Sequence, residues 1–251
     1  MLSHTFNNNL VEEIPLVITL NDIHFSVMLV SPFDIEDFVV GYLHSELIIE
    51  SPLDVHDIDV SDMTDNGIDT IRADVTLANR RIEVFKHRQR SLKGASGCGL
   101  CGKAALADAF PTLTSLADSV ITDVNYLSNI RKTIPRWQLQ GQSSGALHGA
   151  FWINTVGEII LSREDIGRHN AMDKLLGALH KQGIQTSGGT LVITSRCGAE
   201  LVQKAIISGV ARLASLASPS TLAVSMAAKH NLHLIHIPKH DSPYVLTGKV
   251  L

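Results

Sequence analysis

Short apolar runs open the chain and predict a β-hairpin followed by a helix. Residues 16–20 and 23–30 are rich in β-branched and other apolar residues, and Asn21 and Asp22 between them form a two-residue turn signal. Ser31 and Pro32 then mark a helix start. After them apolar residues recur at helical spacing, at Ile35, Phe38, Val39, Tyr42, Leu43 and Leu47. This spacing predicts one apolar helix face that packs on the hairpin.

An aspartate-rich stretch from Asp54 to Asp69 separates this helix from the next apolar runs. Its polarity predicts a loop or an exposed strand with turns. Residues 70–77 and 81–86 then predict a second pair of strands around Asn79 and Arg80. Residues 1–92 are therefore predicted to form an α+β N-terminal domain.

The second half of the chain has a different pattern, in which strands alternate with helices of about ten residues. The predicted strands are 147–154, 158–162, 190–194, 211–216 and 232–237, and the predicted helices are 169–181, 198–208 and 219–229. This alternation predicts an α/β domain at 146–251, with a mainly parallel sheet covered by helices on both faces. Residues 93–145 would connect the domains, with a short helix from Lys103 and a helix from Asp123 to Lys132.

Composition narrows the classes of function. The chain has 251 residues, 45% of them hydrophobic, and a net charge of −4. Because there is no basic field, binding to a nucleic acid polymer is excluded. No apolar run reaches the roughly 20 residues that span a bilayer, and the N-terminus lacks a basic and apolar leader. We therefore expect a cytoplasmic protein that does not associate with membranes.

The most distinctive chemistry lies in a glycine-rich Cys-x-x-Cys motif in the connecting segment. Cys98 and Cys101 are flanked by glycines that give the backbone wide conformational freedom, and Lys103 nearby favours a lowered thiol pKa. A structural disulfide, a zinc site and a thioredoxin-like dithiol each fit part of this pattern. Stable disulfides are rare in the cytoplasm, and a closed zinc site needs four ligands, which disfavours the first two alternatives. In a thioredoxin-like dithiol the first cysteine lies at a helix start, whereas glycines flank both cysteines here. A carrier that holds a persulfide on one cysteine best suits the backbone freedom that these glycines give.

Three predicted strand-to-helix junctions in the second half suit an anionic ligand, because helix N-termini present free N–H groups. They lie at 165–170, 195–198 and 218–221, and the first two contain Arg168 and Arg196. Two arginines at such turns indicate a ligand with several phosphates. The alternative is that each arginine pairs with a nearby acid such as Glu164 or Glu200.

Other candidate residues give weaker patterns. His148 invites comparison with a deaminase zinc site, but Ala150 stands where that site needs a glutamate. His233 and His236 would point to opposite faces of one strand, which disfavours joint metal binding. Cys197 at a helix start fits a small buried residue as well as an activated thiol. We expect no metal site.

Several motifs together resemble the FdhD family, the formate dehydrogenase accessory sulfurtransferases. They are EEIP at 12–15, Val27-Met28, PFDIEDFVVGY at 32–42, SGCGLCG at 96–102, REDIGRHNAMDK at 163–174, ELVQKA at 200–205 and residues 218–224. These motifs span nearly the whole chain. The cysteine motif combined with the run at 165–174 is far more specific than either alone.

This resemblance implies a sulfurtransferase that accepts persulfide sulfur from a cysteine desulfurase on Cys98, with Cys101 as its partner. The sulfur would pass to a molybdenum (or tungsten) bis-pterin guanine dinucleotide cofactor, as formate dehydrogenase requires. A homodimer and a second domain similar in fold to cytidine deaminases are implied as well. The predicted cofactor-binding residues, where a guanine nucleotide could also bind, are Asp165, Gly167, Arg168, His169, Asn170, Ser195, Arg196, Ile237, Pro238, Lys239, His240, Asp241 and Ser242.

The sequence departs from the family pattern at a few positions. Ile237 and Lys239 stand where the family usually has an aromatic residue and an arginine, and Leu47 stands where glycine is common. A lysine holds phosphate as a point charge and lacks the fork of an arginine. The rival hypothesis is a chaperone that binds the molybdenum cofactor without sulfur chemistry, for which Arg168 matters and the cysteines do not. A thioredoxin-like reductase is a third hypothesis.

Overall fold

The computed structural model describes residues 10–94, 111–121, 123–142 and 144–250. Its strands are β1 Ile14–Leu20, β2 Ile23–Val30, β3 Val55–Asp65, β4 Ile68–Leu77, β5 Val120–Ile121, β6 His148–Ile153, β7 Ile159–Asp165, β8 Thr190–Ile193, β9 Arg212–Ser215, β10 His233–His236, β11 Tyr244–Val245 and β12 Lys249–Val250. The helices in these ranges are α1 Ile35–Ser45, α2 Asn79–Gly94, α3 Ile130–Thr133, α4 Arg168–Lys181, α5 Ala199–Ile207 and α6 Thr221–Lys229. Cys98, Cys101 and the helix predicted from Lys103 lie outside the described residues.

The N-terminal domain is built on a four-stranded sheet with the strand order β2-β1-β4-β3. The predicted hairpin is confirmed, since β1 and β2 pair antiparallel around Asn21 and Asp22, which have φ angles of 46° and 65°. Such left-handed angles at both turn residues match the twist of a two-residue hairpin. Helix α1 is confirmed as well, and it buries Phe38 and Leu43 in the core of this domain. The aspartate-rich stretch forms the exposed edge strand β3.

The predicted strand at 81–86 is wrong, because these residues belong to helix α2. Ile82 and Phe85, three residues apart, are both buried, whereas Val84 between them is 44% exposed. That spacing is helical, and a run this short fits both periods until its neighbours are known. The buried carboxylate of Asp54 accepts hydrogen bonds from Arg80 and Arg81 and so holds the start of the helix.

The second domain contains a six-stranded sheet with the order β11-β10-β9-β8-β6-β7, which confirms the α/β fold class. Strands β8, β9 and β10 are parallel, while β6, β7 and β11 pair antiparallel. The sheet is therefore mixed, because β6 and β7 form a hairpin that turns at Gly157, where φ is 90°. The predicted strands and helices of this domain are present, with small differences at their ends.

The long helices of this domain lie on one face of its sheet. Helices α4, α5 and α6 share a core with Trp152, Leu191 and Leu213. The crossovers through α5 and α6 both advance in the same direction along the sheet, so right-handed connections place both helices on the same side. Short helical turns cover the other face, where Leu127 and Ile130 pack with Val192, Ile235 and other residues. These turns replace the single helix predicted from Asp123 to Lys132.

The two domains meet where helix α1 crosses helix α4. A Cβ atom added at Gly41 would overlap the carbonyl oxygen of Asp173, and one added at Gly177 would overlap that of Asp37. The helix backbones are therefore in direct contact at this point. The Asp37 carboxylate also binds Arg163 of β7, at 2.6 Å. The described helices include none that is long and apolar enough to cross a membrane.

Candidate functional site

The predicted strand-to-helix junctions come together at one edge of the six-stranded sheet. The parallel strands β8, β9 and β10 all end at this edge. Strand β6 is antiparallel to β8, so it begins there, and its His148 lies opposite Asp165 at the end of β7. The loops that contain Asp165, Ser195 and Ile237 therefore leave the sheet at the same edge, which we call the carboxyl edge.

The loop between β7 and α4 is held by a buried cluster of polar residues. The Lys174 ammonium lies 2.8 Å from the Asp165 carboxylate, and neither side chain is exposed. Asp165 also accepts the N–H of Ser31 at 3.0 Å and the N–H of Gly167 at 2.8 Å. Asn170 donates to Asp165 and to the carbonyl of Leu29. The polar atoms of Asp165 and Asn170 thus join the loop to the N-terminal domain and fix the start of α4.

Two arginines of the junctions have guanidinium groups with no acidic partner among the described residues. Arg168 and Arg196 are exposed, and neither forms an ion pair within the described part of the chain. The alternative that they pair with Glu164 or Glu200 is wrong here. Glu164 instead accepts the backbone N–H groups of Gln140 and Gly141, and Glu200 lies 2.8 Å from His169. An exposed and unpaired guanidinium remains available for an anionic ligand.

The predicted cofactor-binding residues at 237–242 begin inside the fold and continue at the surface. Ile237 is buried, and its N–H donates to Ser215 at 3.0 Å. Pro238 is partly buried, and the residues that follow it, Lys239, His240, Asp241 and Ser242, are exposed. Arg131 donates to the carbonyl oxygens of Ile237 and Pro238, each at 3.0 Å from its Nε. Burial lowers the pKa of Arg131 from its usual value.

Arg131 is a residue that sequence reasoning missed. It also donates to the carbonyl of Leu216, so it ties the ends of β9 and β10 together. In the sequence it is an ordinary arginine of a polar connecting segment. Its local sequence does not indicate a structural role, because the carbonyl groups that accept its hydrogen bonds all belong to residues far along the chain.

A cavity of about 430 Å³ lies between the domains, and we call it the interdomain cavity. Its walls include Met28, Tyr42, Ser45, Glu46, Leu47, Pro111, His169, Asn170, Asp173, Glu200, Gln203 and Lys204. Pro111 is the first described residue after the segment that contains Cys98 and Cys101. Lys204 lies 2.8 Å from Asp173, and burial lowers the pKa of His169 below its ordinary value. The chain that follows the cysteine motif therefore enters the described fold in the wall of this cavity.

A second cavity, of about 470 Å³, opens at the carboxyl edge, and we call it the edge cavity. It lies between the end of the connecting segment and the end of β8. Its described lining residues are Pro135, Gln138, Gly141, Gln142, Gly145, Ala146, Leu147, His148 and Thr194. Burial and the nearby charge of Arg168 lower the pKa of His148, and Asp165 opposes this shift. His148, Arg168 and the end of β8 thus share one region.

Cys197 is a buried structural thiol. Cys197 is 1% exposed and belongs to the core between the sheet and its helices. Burial raises its pKa to about 12, so the thiol is protonated at neutral pH. Because only the thiolate attacks sulfur, Cys197 is not a candidate nucleophile. The sequence allowed either a small buried residue or an activated thiol at this position, and the structure confirms the buried residue.

Comparison with known proteins places both the fold and the family. The structure matches a crystal structure of a protein from Desulfotalea psychrophila that has been assigned as a formate dehydrogenase accessory protein. The TM-score is 0.67 at 23% sequence identity, and the match covers 94% of this chain and 87% of the other. At this identity the likeness shows a shared fold. A family model, described as the FdhD/NarQ family, matches residues 11–250. The chain therefore belongs to the FdhD/NarQ family.

Proposed function

We propose that this protein takes part in formate dehydrogenase maturation as a sulfurtransferase. The supporting observation is the combination of family membership with the Cys98 and Cys101 motif, whose chain enters the fold at Pro111 in the wall of the interdomain cavity. Cys197 is buried and protonated, so the sulfur chemistry falls to the pair in the motif. The location we propose is the cytoplasm.

The proposed transfer has two steps that balance in atoms and electrons. The Cys98 thiolate attacks the outer sulfur of a persulfide on a cysteine desulfurase, which releases the desulfurase thiolate and leaves a persulfide on Cys98. The Cys101 thiolate then attacks the inner sulfur of that persulfide. A Cys98–Cys101 disulfide forms, and the outer sulfur leaves as sulfide, which the metal of the cofactor captures. An external dithiol reduces the disulfide for the next round.

The proposed substrate is a molybdenum (or tungsten) bis-pterin guanine dinucleotide. Its phosphates would bind Arg168 and Arg196, which are exposed and unpaired within the described residues, together with Lys239. Guanidinium groups bind phosphate oxygens in pairs, and the carboxyl edge is where α/β sheets receive such ligands. The cofactor has two equivalent nucleotide ends. A homodimer would offer one carboxyl edge to each of them.

The first experiment measures sulfur loading by intact mass after incubation with a cysteine desulfurase and cysteine. We compare wild type with Cys98→Ala, Cys101→Ala and Cys197→Ala, the last as a control thiol. Wild type and Cys197→Ala should gain sulfur that a reductant removes, and Cys98→Ala should gain none. In cells, Cys98→Ala should fail to activate formate dehydrogenase. Activation by this variant would contradict the sulfurtransferase role.

The chaperone hypothesis keeps support from Arg168 and Arg196, because an anion site at the carboxyl edge does not depend on the cysteines. It predicts that Cys98→Ala activates formate dehydrogenase normally while Arg168→Ala does not. The sulfurtransferase hypothesis predicts that both variants fail, and that only Arg168→Ala still loads sulfur. The pair of variants therefore separates the two functions.

A further inference from the structure

Helix α1 ends in a left-handed residue that is not glycine. Glu46 caps the helix, and Leu47 follows it with a φ angle of 57°. The N–H of Leu47 donates to the carbonyl of His44 at 2.9 Å. The N–H of Ile48 donates to the carbonyl of Leu43 at the same distance, which completes the Schellman motif of a helix C-terminus. The left-handed residue in this motif is usually glycine, because a Cβ atom is crowded there.

Three other helices show how unusual this leucine is. Gly183 follows α4, Gly209 follows α5 and Asn231 follows α6, all at the same place after the helix and with φ angles of 65°, 68° and 58°. Glycine and asparagine enter the left-handed region readily, whereas leucine meets steric strain there. Because backbone strain of this kind clusters at functional sites, we looked for a function of the Leu47 side chain.

The core gains little from the Leu47 side chain. A Schellman motif includes an apolar contact, which is made here by the buried residues Ile48 and Leu43. Leu47 itself is 44% exposed and lies in the wall of the interdomain cavity. Met28 and Pro111 are partly buried in the same wall, and we call these two residues and Leu47 the apolar rim. The strained position therefore exposes an apolar side chain beside two others.

Two pairs of polar side chains in the interdomain cavity are engaged with each other. Lys204 lies 2.8 Å from Asp173, and His169 Nε2 lies 2.8 Å from the Glu200 carboxylate. Because each group of these pairs already has its partner, the pairs give little attraction to a charged group from another molecule. The apolar rim is the part of the wall that can gain by being covered.

The chain on both sides of the cysteine motif comes close to this cavity. Pro111, ten residues after Cys101, lies in its wall. Before the motif, helix α2 packs Phe85 against Phe25, with ring centres 5.5 Å apart. Phe25 in turn packs against Tyr42 at 5.7 Å, and Tyr42 lines the cavity. A protein that delivers sulfur to the motif therefore approaches the side of the molecule that bears the apolar rim.

We propose that the apolar rim is the contact surface for the persulfide donor, and that Leu47 packs against an apolar side chain of that protein. This inference rests on the proposed function, in which the donor is a cysteine desulfurase. It explains why a leucine occupies a position that suits glycine: its side chain becomes buried when the donor binds.

The test measures the rate of sulfur loading on the full chain by intact mass, at increasing concentrations of the cysteine desulfurase. Leu47→Gly and Leu47→Asn remove the apolar side chain and suit the left-handed backbone. Each should raise the desulfurase concentration that gives half-maximal loading about fivefold, the factor expected for burying the exposed part of one leucine. The loading rate at saturation should stay unchanged. Leu47→Met, which keeps an apolar side chain, should load like wild type.

Thermal unfolding of the same variants separates a contact residue from a core residue. Because strain is released, the Tm of Leu47→Gly and Leu47→Asn should equal that of wild type or be up to about 4 °C higher. A lower Tm together with weaker loading would assign Leu47 to the core and overturn the proposal. Val156→Asn removes a side chain that is 71% exposed between β6 and β7. It is the matched control and should load normally.

Calorimetric titration of wild type and Leu47→Gly with the desulfurase keeps this contact apart from the sulfurtransferase role. If wild type binds more tightly than the variant but gains no sulfur, the contact stands and the role is wrong. If wild type gains sulfur and both proteins bind equally, the contact is wrong and the role stands. If wild type neither binds nor gains sulfur, both are wrong.

Two other results would give the apolar rim a different occupant and overturn the donor contact. Slower loading at saturation with unchanged affinity would mean that Leu47 acts on the cysteine-bearing segment of its own chain. A change of oligomeric state in Leu47→Gly, measured by sedimentation, would mean that the rim binds a second copy of the protein.

Discussion

Lys174 holds a buried charge at the centre of the contact between the two domains. Its ammonium binds Asp165 at 2.8 Å and donates to the carbonyls of Ser31 and Glu164 at 3.0 and 3.3 Å. It also lies 4.2 Å from the centre of the Phe33 ring. Burial lowers the pKa of Lys174, and Asp165 opposes that shift. A buried ion pair is tolerated only when its remaining hydrogen bonds are satisfied, as they are here.

Lys174→Met should destabilise the protein by about 3–5 kcal/mol, because it leaves the Asp165 carboxylate buried without its counter-ion. Arg168→Met, in the same motif but exposed and unpaired among the described residues, should cost less than about 0.5 kcal/mol. Urea unfolding of both variants measures the difference. Equal costs would contradict the structural role of the ion pair. Asp165→Asn combined with Lys174→Met should cost less than the two single changes together, since no charge is then left buried.

His44 and His180 form a half-buried pair at the contact of α1 with α4. Their ring centres are 4.3 Å apart, and His44 Nδ1 lies 3.4 Å from Ser208 Oγ. Burial, together with the charge of a protonated His180, lowers the pKa of His44 from 6.5 to about 4. Burial lowers the pKa of His180 as well. Both rings are therefore neutral in the folded protein at neutral pH.

The free energy of unfolding should fall as the pH is lowered from 6.5 to about 4. The folded pKa of His44 lies below its unfolded value, so the unfolded chain binds more protons between pH 6.5 and about 4. The contribution of this residue is present above pH 6.5, and about 2 kcal/mol of it is lost between pH 7 and pH 5. Urea unfolding at the two pH values measures the loss. In His44→Asn the slope should be smaller, and an unchanged slope would exclude His44 as its source.

Helices α1 and α4 cross with their backbones in contact, which requires glycine at the crossing on both helices. Gly41→Ala would force a methyl group into the carbonyl of Asp173. Overpacking costs about 1–3 kcal/mol or more, and the better helix propensity of alanine offsets up to about 1 kcal/mol of it. We expect a net loss of about 2 kcal/mol in thermal or urea unfolding. Gly188→Ala, which has room for its methyl group, is the control and should be nearly neutral.

The elements that sequence patterns predicted well have a strong period or a specific turn signal. The hairpin at Asn21 and Asp22 and the strands and helices after residue 147 are of this kind. The sequence predicts a strand in place of helix α2 because the apolar run there is short and fits both periods. The start of the helix is held by Asp54, a residue distant in the chain, which the local pattern does not include. The helix predicted from Asp123 became short turns packed on the sheet, whose positions depend on partners such as Ile237. Local patterns carry no information on such partners.

At the scale of the whole molecule, negative charge is concentrated on one hairpin. Strands β3 and β4 carry exposed carboxylates at Asp57, Asp59, Asp62, Asp65 and Asp69, while the whole chain has a net charge of −4. There is no lysine or arginine between residues 56 and 71. Asp59 also lies directly opposite Asp74 on the neighbouring strand. Like charges in such positions are destabilising.

Replacing Asp57, Asp59 and Asp62 with asparagine should therefore raise stability at low salt, by up to about 1 kcal/mol. The gain in stability should be smaller in 1 M salt, where the Debye length is about 3 Å and the repulsion between these carboxylates is screened. Urea unfolding at both salt concentrations measures it. Glu13→Gln, exposed outside this hairpin, should change stability much less. A gain that does not depend on salt would point to a cause other than charge repulsion.

The candidate site was predicted in part. Sequence patterns indicated the junctions at 165–170 and 195–198, and the sheet brings both to the carboxyl edge, since parallel strands end together. They did not separate Asp165, whose carboxylate is engaged inside the fold, from the exposed Arg168. They also left the edge cavity unseen, because it forms between the connecting segment and β8 only after folding. The cysteine motif was recognised from its residues alone and stays a prediction.

The crossing of α1 and α4 limits how the two domains can move relative to each other. Backbones in contact at Gly41 and Gly177 leave no layer of side chains that could slide or repack, and the Asp165–Lys174 pair ties the same surfaces together. Hinge and shear motions need either a flexible connection or an interface that can shift. We therefore expect the two domains to move as one body. In the proposed sulfur transfer, closure of one domain on the other would then contribute nothing to bringing the sulfur and its acceptor together.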